Sequence, residues 1–310
     1  MYSQEETLRS TIDKSLKVIR LYDWLLNLYV LDFFVDNHWT KLPLSWQECF
    51  QNITPQDLGN ILSEVPTKHV LPLSFISLIK AVKSLSLPRD KISNKNKIGL
   101  LLSEDICNGH PRLKNLFLKH VKLKKRHEIC LMSKVVSGVA VESKCDAVVD
   151  FGSGLGHLVR VLAYNNNLYA AGIECQSQLT EEARSVQLVH AYRAALERIL
   201  VDYDPKLKHA PVRNIKHSDT MTFQQYSTQA LSRLNIPLPA CFARGEADLR
   251  QWRRVVTLYT LRLALAPLVE TVILLDRVLY ILEHGLSCEI HPVFDPKLSP
   301  RNHIIVGKRL

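Results

Sequence analysis

The stretch AVVDFGSGLGHLVRVLA covers residues 147–163, and after a short polar turn LYAAGIE covers residues 168–174. An apolar run enters a glycine-rich turn. Apolar residues then recur at helical spacing, at Leu158, Val161 and Leu162. A second apolar run ends on an acid, Glu174. Strand, turn, helix and strand in that order form the first βαβ unit of a nucleotide-binding α/β sheet.

The residue types of the turn define its chemistry. Gly152, Gly154 and Gly156 let the backbone bend tightly and come close to a ligand. A helix that starts near His157 aims unpaired N–H groups at that ligand, with Ser153 beside them. Asp150 closes the first strand just before the glycines. Glu174 ends the second, where a carboxylate can accept both hydroxyls of a ribose.

Two cofactor classes use such a unit. A dinucleotide fingerprint runs G-x-G-x-x-G, and its third glycine would fall where this chain has His157. The glycines here run G-x-G-x-G and follow an acid. That pattern resembles motif I of the S-adenosylmethionine-dependent methyltransferases. The resemblance implies that Asp150 faces the cationic methionine end of the cofactor, and it makes a nicotinamide enzyme the lesser reading. A structural βαβ turn without a ligand is the plain alternative, and an acid at the end of the second strand counts against it.

The chain has 310 residues, enough for one large domain or two ordinary ones. Its net charge is +10 and its pI about 9.2. A basic surface suits a polyanion, and also occurs in proteins that bind none. Seven cysteines are scattered without a C-x-x-C pair, which speaks against a zinc site and a disulfide framework. Reduced thiols in cytosol or nucleus are the expectation. Residues 1–20 mix Glu and Lys and carry no signal-peptide core. Residues 18–35 and 261–282 are apolar but interrupted by charges, so each reads as a buried amphipathic helix and not a membrane span.

Residues 1–120 read as a helical N-terminal domain and 121–310 as the domain of the glycine turn. Thr54 and Pro55 cap and open one helix, and residues 71–85 form another. His38 and His69 stand alone and suggest surface or core roles. Residues 88–97 look like a linker. No acid falls between Asp105 and Glu128, while Arg112, Lys114, Lys119, Lys122, Lys124, Lys125 and Arg126 do. This window is either a phosphate-facing patch, with RNA as the partner, or a solvated helix face. Lys122, Lys124, Lys125 and Arg126 are its candidate nucleic-acid contacts. The helix that opens there runs to about Val141 and leads into the first strand.

Several strings carry a narrower resemblance. They are LDFFVDNHW at 31–39, Lys125 with His127 and Glu128, DFGSGLGHL at 150–158, LAPLVE at 265–270, LLDR at 274–277 and LSPRN at 298–302. Together they resemble the methyltransferase-like 25 family, also described as ribosomal RNA adenine dimethylase domain-containing proteins. The family implies S-adenosylmethionine as cofactor, held by Asp150, Gly152, Ser153, Gly154, Gly156, His157 and Glu174.

The resemblance has a break. After Glu174 a methyltransferase sheet continues with a strand beside adenine and one bearing the catalytic motif. This chain instead enters helical sequence from Glu181 to about Val201. Residues 181–285 read as mainly helical, and 286–310 as a closing β-hairpin. Pro211–Lys216 is a weak candidate for a third strand, with His217 and Asp219 after it as an adenine-side acid. Asn235-Ile-Pro-Leu238 imitates an adenine-methyltransferase motif but has Leu where an aromatic should stack. Residues 247–265 form a basic amphipathic helix broken by Pro267.

The expected fold is therefore α/β: a Rossmann-like S-adenosylmethionine methyltransferase sheet, incomplete in its middle, with a helical N-terminal domain. It has the form of a shortened isoform. The expected function is methyltransferase-like with an unidentified acceptor, RNA being one candidate, and little activity. The alternative is a non-catalytic member that binds RNA or protein. No catalytic residue, no metal ligand, no DNA specificity and no oligomeric state can be read from the residues.

Overall fold

Glu5 and Glu6 occupy the first turn of helix α1 (Gln4–Leu21), where carboxylates suit the positive end of the helix dipole. The computed structural model describes residues 4–63, 65–89, 121–153, 156–173, 186–213, 215, 221–232 and 242–309. Gly154, Glu174, Arg112 to Lys119, His217 to Asp219, Asn235 to Leu238 and residues 90–97 of the expected linker lie outside them.

The single helix expected across residues 18–35 is not formed. α1 stops at Leu21, a four-residue helix α2 (Asp23–Leu26) follows, and Val30–Asp32 make a 3-10 turn. Leu25, Leu28, Val30, Phe33 and Phe34 are all buried, and that spacing does not fit one helical stripe. The chain bends so that each reaches the core. Helices α3 (Leu44–Phe50), α4 (Pro55–Leu62) and α5 (Leu73–Leu85) complete this part. Thr54 caps α4 as expected, its side chain accepting from the Asp57 N–H at 3.1 Å.

Next comes α6 (Leu123–Glu142), then β1 (Ala147–Phe151), α7 (His157–Asn166) and β2 (Tyr169–Ile173). β1 and β2 are parallel, with Asp150 opposite Gly172 and Phe151 opposite Ile173. The βαβ unit read from the sequence is thus present.

The remainder is α8 (Val186–Tyr203), α9 (Phe223–Leu231), α10 (Phe242–Leu249), α11 (Trp252–Leu263), α12 (Ala266–Glu283), β3 (Leu286–Pro292) and β4 (His303–Arg309). Two expectations are corrected here. Residues 247–265 do not form one helix, because the chain turns between α10 and α11 and again after α11. Pro267 breaks nothing: it sits in the first turn of α12, where a missing N–H costs no helical bond. Residues 211–213 and 215 are not strand, so the described part of the third-strand candidate fails. The Arg213 N–H donates to the Ala230 carbonyl at the end of α9 instead.

Contacts divide the chain into two units, each assembled from two stretches. One comprises residues 1–87 and 182–276, the other 88–181 and 277–310. The sequence reading divides the chain once, near residue 120. The first unit holds the main core, with Trp46, Phe50, Phe75, Leu58, Leu196 and Tyr226 almost wholly enclosed. Trp46 meets Phe50 and Phe75 edge-on at 5.9 and 5.3 Å, and its indole N–H donates to Ser74 Oγ at 2.9 Å.

The second unit holds the two sheets found among the described residues. β3 and β4 pair antiparallel, in a two-stranded sheet separate from β1 and β2. The hairpin does not continue the β1–β2 sheet, as a closing methyltransferase hairpin would. Between them lies an open cleft of about 390 Å³ under α6, bounded by Ala147 and Val148 on one side and Ile304 to Gly307 on another. Successive strand residues point to opposite faces, so consecutive residues can line one cleft only along a strand edge. The cleft is therefore flanked by the edges of β1 and β4. Cys130 on α6 is disulfide-bonded, which corrects the expectation of uniformly reduced thiols, while Cys49, Cys145 and Cys288 are free. No helix among the described residues is long and apolar enough to cross a membrane.

Candidate functional site

The glycine turn sits at the carboxyl ends of β1 and β2, where parallel sheets bind their ligands. Gly152 has φ +79° and Gly156 φ +69°, both in the left-handed region that disfavours side chains. A Cβ at either position would meet no atom of the described residues within 4 Å. The N–H groups of Gly152 and Ser153 donate to the Ile173 carbonyl at 2.7 and 3.2 Å, tying the turn to the end of β2. Gly172 permits this approach, since a Cβ there would lie 2.7 Å from Ser153 Oγ. Gly156 is also the N-cap of α7, with no side-chain cap to occupy the first N–H groups.

Asp150 is half-buried on the face of β1 that α7 covers, alongside Val148. The other face is different. Val149, Phe151, Tyr169 and Ile173 are 52, 77, 77 and 52% exposed, and they line one side of the two-stranded sheet. Parallel strands are normally buried on both faces.

His157 opens α7. Burial lowers its pKa, and the cations Arg160 and Lys125 lower it further. Its imidazole therefore stays neutral at a pH where an exposed histidine begins to charge. The effect also places the Lys125 charge near the glycine turn.

The basic residues start α6. Lys122 is its N-cap position, and Lys124 and Lys125 lie 3.7 and 3.8 Å from the two oxygens of Glu128. Arg126 Nε donates to the Val121 carbonyl at 2.8 Å. The window thus contains local pairing that its acid-free stretch conceals. Such exposed pairs are weak and leave lysine charge facing solvent.

Sequence reasoning missed what His127 and Glu128 do. His127 Nε2 accepts the Asp295 N–H at 2.8 Å, and Ser299 Oγ donates to Glu128 Oε1 at 2.8 Å. Asn302, fully buried, donates to the carbonyls of Arg89 and Phe294. Two of the narrow family strings, the one at Lys125 to Glu128 and the one at Leu298 to Asn302, are in contact through these bonds. Their joint presence in the sequence was the available signal. His38, by contrast, has a structural role: it is buried, and its Nε2 lies 3.0 Å from the Tyr29 carbonyl.

The profile of a protein family described as a methyltransferase domain matches residues 124–241. That stretch takes in nearly all of α6, the whole βαβ unit and the glycine turn. The chain thus carries a methyltransferase domain over less than half its length, and the sheets among the described residues are two-stranded. No solved structure matches the chain.

Proposed function

We propose that this chain is an S-adenosylmethionine-dependent methyltransferase-like protein of the methyltransferase-like 25 kind. In this shortened form it binds the cofactor weakly and transfers methyl groups little or not at all. The observation that carries the reading is the glycine turn. Two left-handed glycines, with no described atom within 4 Å of where a Cβ would lie, sit at the carboxyl ends of two parallel strands, inside the matched domain.

The residues fit the cofactor in part. Asp150, Gly152, Ser153, Gly156 and His157 would hold its methionine end, with Gly154 and Glu174 completing the motif. S-adenosylmethionine supplies a methyl group on a cationic sulfonium. An acid near the strand end favours that cation, and the Lys125 charge beside the turn favours the carboxylate of the same ligand. We read the cleft between the edges of β1 and β4 as the space that central strands of a full sheet would fill. Without them no residue among those described orients an acceptor in line with the sulfonium, and positioning supplies much of such a rate. RNA is the acceptor or partner favoured by the lysines at the start of α6.

The second reading is a non-catalytic family member that binds RNA or protein. It is favoured by the bare apolar face at Phe151 and Tyr169. Calorimetric titration with S-adenosylmethionine tests the first reading. We expect weak binding that Gly154→Asp abolishes; binding unchanged by that substitution overturns the cofactor assignment. A radiolabelled methyl-transfer assay on total RNA and protein extract separates the two readings. Turnover equal to that of a version with a complete central region overturns the claim of low activity.

A further inference from the structure

We propose a divalent transition-metal site, best suited to Zn²⁺, formed by Asp32, Glu197 and His209 in the first unit. It is independent of the glycine turn. Asp32 ends the Val30–Asp32 turn, Glu197 lies in the middle of α8, and His209 follows the Pro205–Leu207 turn. One ligand atom from each lies within 4.8 Å of the others.

Burial makes this more than a chance meeting of charges. Asp32 and Glu197 are only 7 and 5% exposed, so two carboxylates share a small space away from water. Such a pair needs positive charge between its members. His209 Nε2 lies 2.8 Å from Asp32 Oδ1, so a metal replaces the proton now shared between them. The imidazole is steadied by the edge-on ring of Tyr29 at 5.2 Å. The His209 backbone N–H donates to Glu197 Oε1, with the residue in the left-handed region at φ +60°. Both contacts hold the ring toward the carboxylates.

Lys208 is the competing cation. Its Nζ lies 3.6 Å from Asp32 and 3.7 Å from Asp36, longer than hydrogen bonds, and its side chain is 39% exposed. It can yield Asp32 to a metal and keep Asp36. Zinc bonds of about 2.0–2.2 Å put neighbouring ligand atoms about 3–4 Å apart. Ligand atoms that now lie within 4.8 Å of one another therefore close by about 1–2 Å at the widest pair. The 44% exposure of the His209 side chain leaves a coordination position open to solvent. One imidazole with two carboxylates suits Zn²⁺ better than Mg²⁺ or Ca²⁺, which prefer oxygen alone.

The test is calorimetric titration of the full chain with Zn²⁺, paired with Co²⁺ absorption spectra. We expect one saturable Zn²⁺ site that excess Mg²⁺ does not compete for. Asp32→Asn and His209→Gln should each weaken it by more than about tenfold, since even outer partners of a ligand cost that much. Co²⁺ should give visible bands without a thiolate charge-transfer band, and His209→Cys should add that band. This last variant keeps a ligand at the position and reads the site even if His209→Gln folds poorly. No saturable Zn²⁺ site, equal affinity in His209→Gln, a thiolate band in the unsubstituted chain or none in His209→Cys would each overturn the proposal.

Discussion

Ser299 Oγ donates a 2.8 Å hydrogen bond to the carboxylate of Glu128, joining the loop between β3 and β4 to the first turns of α6. Glu128 is also the acid that Lys124 and Lys125 approach. One carboxylate thus serves the basic helix start and the C-terminal loop together. Ser299 is 2% exposed, so this bond is largely shielded from water. Hydrogen bonds to charged groups contribute about 1.5–3 kcal/mol. We expect Ser299→Ala to destabilise the second unit by an amount in that range, read as a lower thermal midpoint. Lys297→Ala, on the exposed part of the same loop, should leave the midpoint unchanged. Equal midpoints for Ser299→Ala and the unsubstituted chain would remove the bond from the account.

His157 predicts a pH dependence. Its folded pKa is lowered by burial first, then by Arg160 and Lys125. The unfolded chain therefore takes up the proton at higher pH than the folded one. Stability is unaffected above the ordinary histidine value, and falls as pH drops through it toward the folded value. In NMR titration the His157 ring should titrate below the ordinary histidine value. Lys125→Ala should move it upward. A His157 that titrates at or above the ordinary histidine value would contradict the environment described.

The lysines at the start of α6 can be tested through salt. If they bind phosphates, RNA affinity falls steeply with salt as counterions are released. Replacing Lys122, Lys124 and Lys125 by Ala should reduce the slope of log K against log salt by about two to three, near one for each lysine that neutralises a phosphate. Absence of RNA binding at low salt would return these residues to an ordinary solvated face.

Trp46 anchors the first unit. Truncating a buried aromatic costs about 3–5 kcal/mol, and Trp46→Ala should fall in that range in denaturant unfolding. Trp46→Phe should cost less, because it retains a ring against Phe50 and Phe75 and gives up only the bond to Ser74 and part of the ring area. Equal destabilisation by the two variants would show that ring packing contributes little.

The βαβ unit was legible in the sequence because each of its signals is local. Left-handed glycines, a period of two in strands and a helical spacing all act within a few residues. The same holds for the Thr54 cap and the terminal hairpin. Helix boundaries at residues 18–35 and 247–265 were not legible, because apolar residues there serve a core reached from several directions. Leu25 and Phe33 are buried in the same cluster without sharing a helix.

The sequence by itself determined the glycine turn, the parallel strand pair, most helices and the presence of a methyltransferase-type motif. Only the tertiary structure decided that β4 stays separate from the β1–β2 sheet, leaving a cleft. It also decided that Glu128 meets Ser299, 171 residues away, and that Asp32 meets His209, 177 residues away. A search for closely spaced cysteines cannot find a metal site drawn from three distant segments. Contacts at such separations leave no periodicity in the chain. They depend on which apolar faces bury together, and that is settled by the packing of the whole unit rather than by any short run of residues.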